Sequence, residues 1–144
     1  MTFAPKQVEI LTKSSNDFVY FINNVFSHSV KNFIKGTHVD NSARFLSQHD
    51  RTIRVSARHH FKSFSLYGYF MWKLMFEGAI NNVEAHYFSF NADLAGYHIN
   101  KIKQCIEANP FFQDIIDRKP TAETVLKYTW DNKHFTTISP HGLV

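Results

Sequence analysis

The chain has 144 residues, 44% of them apolar and 19% charged, with a formal charge of +4. That suffices for one domain with a real core and excludes a disordered polar tract. A single cysteine, Cys105, excludes an internal disulfide and a cysteine-based zinc site. No apolar run reaches the roughly 18 residues that cross a bilayer, so no membrane role is expected.

Residues 6 to 34 read as one or two helices, because Val8, Leu11, Phe18, Phe21, Ile22, Val25 and Phe26 recur at spacings of three and four. Ser14-Ser15-Asn16-Asp17 is a cap between them. Thr37 is expected to cap a third helix, His38 to Gln48, with Val39, Ala43, Phe45 and Leu46 on its inner side. The polar turn Gln48 to Arg51 leads into a short strand, Thr52 to Ser56. A helix follows from Lys62 to about Phe76, with Gly78 as its C-cap.

Beyond the Asn81-Asn82 turn, Glu84 to Phe90 reads as a strand with Ala85 and Tyr87, and by extension Phe88 and Phe90, turned inward. Asn91 caps a helix from Ala92 to Ala108, whose apolar face is Leu94, His98, Ile99, Ile102, Cys105 and Ile106. Asn109-Pro110 ends it, and Phe111 to Arg118 is read as a short helical turn. Val125 to Trp130 and His134 to Ser139 form a hairpin around Asp131-Asn132-Lys133. Alternation of strand and helix after residue 50 argues for an α/β layered sheet with parallel strands and crossover helices.

The most informative stretch is Arg54 to Ser63, a strand, a tight turn and the start of a helix. A phosphate-binding loop has that layout. Backbone N–H groups at a helix N-terminus face the anion, a Lys reaches the outer phosphates, and a Ser hydroxyl holds Mg²⁺. Lys62 and Ser63 stand where the Lys and Ser of such a loop belong. Ser56 and Phe61 stand where its two glycines would be.

With these elements in place, the chain resembles the N-terminal part of the ATPase domain of a viral (phage) large terminase subunit, the motor that packages DNA into procapsids. The loop Ala57-Arg58-His59-His60-Phe61-Lys62-Ser63 resembles that family's deviant Walker A, with an Arg four positions before the Lys. The helix carrying Tyr67, Phe70, Trp72 and Phe76 is similar to the aromatic helix after the loop. Phe88 to Ala95, continuing to Asn109-Pro110, is similar to the next strand and helix, and the hairpin ending at Thr137 to Gly142 to the strands ahead of Walker B.

The resemblance implies an incomplete three-layer P-loop NTPase-like parallel sheet preceded by N-terminal helices. Residues 1–144 would form one partial ATPase domain, with 1–50 helical and 51–144 the P-loop part. It implies ATP and Mg²⁺ as ligands, held by Ala57, Arg58, His59, His60, Phe61, Lys62 and Ser63. Ser63 would take the Mg²⁺, and Arg58 would act catalytically by stabilising charge on the γ-phosphate. The implied partners are double-stranded DNA, bound weakly and without sequence preference, a portal and a small terminase subunit, in the cytoplasm of an infected host cell. No apolar strand closing in Asp-Glu is present, so the expectation is a truncated or split terminase that binds ATP and does not hydrolyse it alone.

Blander readings compete with these. His59 and His60 are adjacent and point apart, which favours loop filling over metal ligation. The stripe Phe64, Tyr67, Phe70, Met71, Leu74, Met75 is expected to be core rather than a platform for bases. Glu84, Asp93 and Glu107 form no recognisable carboxylate pair. The alternative function, of another class, is a small basic nucleic-acid- or protein-binding module with no nucleotide chemistry.

Overall fold

A computed structural model describes residues 3–51, 62–118 and 125–144, with the side chain of Lys62 outside that description. The chain divides into two compact units, Met1–Trp72 and Lys73–Val144. Among the described residues there are five α-helices and a four-stranded mixed sheet.

The first unit is helical. Helix α1 (Pro5–Asn16) opens with proline at its first position, where the missing N–H costs nothing. Asp17 separates it from α2 (Phe18–Asn24), its carboxylate accepting from Tyr20 N at 3.1 Å. A 3₁₀ turn, Phe26–Ser29, follows, and then α3 (Thr37–Gln48). Thr37 is the first helical residue rather than the cap. Gly36 holds the cap position, and its carbonyl accepts from Val39 N and Asp40 N. Helix α4 (Lys62–Phe76) supplies its residues up to Trp72 to this unit.

The core of the first unit is aromatic. Phe18 stacks at 6.3 Å on Phe21 and meets Tyr69 edge-on at 5.5 Å and Trp72 at 5.0 Å. The Trp72 indole N–H donates to Ser14 O at 2.9 Å, so this ring is both packed and satisfied. At Gly68 a Cβ would collide with the end of the Ile22 side chain, which would have to shift to make room. Tyr67, Met71, Leu74 and Met75 are buried, Phe70 is half-buried and Phe64 is 39% exposed, so four of the six positions of the stripe on α4 are core.

The second unit carries the sheet. Its strands are β1 (Val83–Ser89), β2 (Ile116–Asp117), β3 (Leu126–Thr129) and β4 (Phe135–Gly142), in the order β1-β4-β3-β2. β1 and β4 pair in parallel; the other two pairs are antiparallel. The expectation of a parallel sheet is therefore corrected to a mixed one. The physical reason is loop length, since the tight turn at Asp131 to His134 can only reverse the chain. Helix α5 (Ala92–Glu107) packs on β1 and β4.

Four further differences have simple causes. Residues 110–117 form a 3₁₀ turn (Pro110–Phe112) followed by β2, because Phe111 and Phe112 bury and Ile116 then pairs with Thr129. Phe88 and Phe90 are 59% and 66% exposed, since strand alternation turns Ala85 and Tyr87 inward and sends the even positions outward. On α5, Leu94 lies outside the buried stripe, which is Ala95, Ile99, Ile102 and Ile106 with Cys105. Gly78 takes no left-handed conformation. A Cβ there would strike Thr136 Oγ1 and come within 2.7 Å of Leu74 O, so close packing selects this glycine.

Candidate functional site

The expected phosphate loop lies largely outside the described residues: Ala57, Arg58, His59, His60 and Phe61 belong there, as does the expected strand Thr52 to Ser56. What is described begins at its end. Lys62 is the first residue of α4 and Ser63, half-buried, is the second. The helix runs for 15 residues with no acidic residue in its first turn. Its first N–H groups have no intrahelical partner, and the aligned peptide dipoles make this end positive. A Lys-Ser pair on that turn adds a cation and a hydroxyl to an anion-attracting terminus.

In the second unit the parallel strands end together. The pairing of β1 with β4 continues past Gly142, as Leu143 N donates to Ser89 O at 3.0 Å and Val144 N to Phe90 O at 3.1 Å. Helix α5 starts beside these ends, its first turn capped by Asn91 Oδ1, which accepts from Leu94 N at 2.8 Å. A Cβ on Gly142 would overlap the backbone N of Ala92, so strand end and helix start are in direct backbone contact. The carboxyl ends of parallel strands are where open α/β sheets bind ligands.

A cluster of side chains that the sequence did not single out lies on the face of this sheet away from α5. His86 and His141 bring Nδ1 and Nε2 within 2.8 Å of each other. His86 Nε2 lies 3.2 Å from Glu84 Oε1. Phe88 stacks on the His141 ring, with centroids 4.8 Å apart and planes 23° apart. The two histidines are 55 residues apart in sequence, and only the parallel register, with Phe88 opposite His141, brings them together. The strand pattern of Glu84, His86 and Phe88 was the one available signal, and it required knowing which strand lay alongside.

A second feature lies between α5, β2 and β3. A cavity of about 330 Å³ is lined by Glu107, Phe112, Asp117 and Tyr128, among others. The Tyr128 hydroxyl is buried and has no hydrogen-bond partner among the described residues. Burial, then the charges of Asp117 and Glu107, push its ionisation far above the usual phenol range.

The carboxylates considered from sequence do not converge. Glu84 faces His86, Glu107 lies 4.0 Å from Lys103, and Asp93 sits in the first turn of α5. Burial lowers the His98 pKa; the ring stacks on Tyr87 at 5.1 Å and packs α5 against β1. Burial likewise raises the Cys105 thiol to about 11, with Lys101 opposing, which leaves it inert as a nucleophile. Among the described residues no group of three or more His, Cys, Asp or Glu side chains is placed to hold a metal ion, and no helix is long and apolar enough to cross a membrane.

Comparison with protein-family models, with curated proteins and with solved structures finds no match to this chain. The α/β class with its mixed four-stranded sheet is what the fold itself establishes.

Proposed function

We propose that this chain is the nucleotide-binding part of a viral DNA-packaging motor of the large-terminase kind. In this reading the amides of Ala57 to Phe61 cradle the phosphates of ATP, Lys62 neutralises the outer ones, and Ser63 coordinates Mg²⁺. Arg58 reaches toward the γ-phosphate. The fold is then of the P-loop NTPase type. Double-stranded DNA, held loosely through Lys and Arg on phosphates, and the portal and small terminase subunits are the partners.

One observation carries the reading: α4 begins at Lys62, so the Lys-Ser pair occupies the first turn of a long helix. That is where the phosphate-binding chemistry needs it. The parallel pair β1–β4 with α5 packed on it belongs to the α/β class, as a P-loop fold does.

The second reading, a binding module without nucleotide chemistry, is favoured by a different observation. Phe88, Phe90 and Leu143 are all well exposed near the carboxyl ends of β1 and β4, as an interaction surface would be.

Magnesium dependence tests the nucleotide reading. ATP affinity of the parent chain should rise at least tenfold when Mg²⁺ replaces EDTA, and Ser63→Ala should lose most of that gain while binding ATP in EDTA as the parent does. A parent chain indifferent to Mg²⁺, or a Ser63→Ala chain that keeps the full gain, would remove Ser63 from the site and turn preference to the binding module.

A further inference from the structure

We propose that His86 and His141 form a binding site for one divalent transition-metal ion of the Cu²⁺ or Ni²⁺ type, on the sheet face away from α5. Glu84 Oε1, 3.2 Å from His86 Nε2, can only accept, so the Nε2 proton stays on His86. Neutral His86 then has a bare lone pair on Nδ1. That lone pair faces His141 Nε2 at 2.8 Å. Without a metal the two rings share a single proton, donated by His141. With a metal, neutral His141 changes tautomer, its proton passing through solvent from Nε2 to Nδ1, and the freed Nε2 joins His86 Nδ1 as a ligand.

The geometry favours particular ions. Metal–nitrogen bonds of about 2.0 Å at a right angle set two ligand nitrogens roughly 2.8 Å apart, so the two rings, which now point at each other, need only swing until both lone pairs meet at one point while the nitrogens keep their spacing. A tetrahedral ion such as Zn²⁺ would need them opened to about 3.3 Å, and hard ions that want oxygen have little to gain from two imidazoles. Two protein nitrogens leave the remaining positions of a tetragonal ion to water. His86 lies on β1 and His141 on β4, so the ion would cross-link the two parallel strands.

The surroundings fit a ligand pair. Glu84 stands to His86 as an outer carboxylate does to a metal-binding imidazole, fixing the orientation of the ring. Phe88, stacked on His141, holds the second ring from one side. The site is open to solvent, with the His86 side chain 40% exposed, so an ion can enter without rearrangement of the sheet.

Titration of the untagged full chain with Cu²⁺, followed by calorimetry and by electron paramagnetic resonance, tests this. The expected result is one site per chain with a tetragonal spectrum split by two nitrogens. His86→Ala and His141→Ala should each weaken it at least tenfold, and Glu84→Gln by about tenfold through the lost outer contact. Circular dichroism identifies any variant that has not folded, and Glu84→Gln, which removes no ligand, provides a separate arm. A His86→Ala/His141→Ala double variant that binds Cu²⁺ as the parent does would place the ion elsewhere and overturn the proposal. So would a parent spectrum with only one coordinated nitrogen.

Discussion

The two faces of the four-stranded sheet are built for different purposes. On the face that meets α5, Leu126, Tyr128, Thr136 and Ile138 are all buried, and Tyr87 packs against His98. On the other face, Glu84, His86 and Phe88 are exposed, and polar groups pair with each other across β1 and β4. The same strands supply both sets by simple alternation. Packing therefore decides the identity of the residues on one face and leaves the other open to chemistry. On the covered face the Tyr128 and Thr136 hydroxyls are buried with no hydrogen-bond partner among the described residues.

The largest effect that would break this contrast comes from neighbours on β4. Ile138 is fully buried and Ser139, the next residue, is half-exposed on the other face. Ile138→Ala should cost about 2–5 kcal/mol of unfolding free energy, while Ser139→Ala should stay within about 0.5 kcal/mol of the parent. Denaturant melts of the two variants decide it. Equal losses would mean that the two faces are not distinct in packing.

A smaller effect sharpens the comparison at the β3–β4 turn. The Asp131 carboxylate accepts from His134 N and Lys133 N, both at 2.8 Å, and lies 2.7 Å from His134 Nδ1. These bonds hold its pKa well below the usual carboxylate range, the backbone N–H of His134 contributing most. A carboxylate depressed by folding stabilises the native state above its unfolded pKa and loses that contribution as pH falls through the folded one. The melting temperature of the parent should thus exceed that of Asp131→Asn at neutral pH, with the gap closing as pH drops below about 3.8. A gap that is unchanged down to pH 2 would show that the bonds to Asp131 do not stabilise the turn.

Much of the fold is legible in the amino-acid sequence. The helices Thr37–Gln48, Lys62–Phe76 and Ala92–Glu107 and the hairpin of β3 with β4 lie close to where periodicity and caps put them, because each is decided by local spacing. Asp17 and Asn91 cap helices through their side chains as such residues are expected to. What escaped was decided by tertiary pairing. β2 is two residues long and exists because β3 lies beside it, and β4 extends through Pro140 to Gly142 because β1 offers a parallel partner. The His86–His141 contact belongs to the same class, since no local pattern links residues 55 positions apart. Of the candidate phosphate loop, the helix start at Lys62 and Ser63 was legible from the aromatic run behind it, and Ala57 to Phe61 lie outside the described residues.

The central claim is that the Lys62-Ser63 turn binds a nucleotide, and equilibrium titration of the full chain with fluorescently labelled Mg²⁺-ATP tests it most directly. The account predicts saturable binding by the parent and at least tenfold weaker binding by Lys62→Ala, a loss of about 1.4 kcal/mol, as expected for removal of a charge-assisted phosphate contact. Equal affinity of Lys62→Ala and parent, in chains whose circular dichroism is the same, would contradict it.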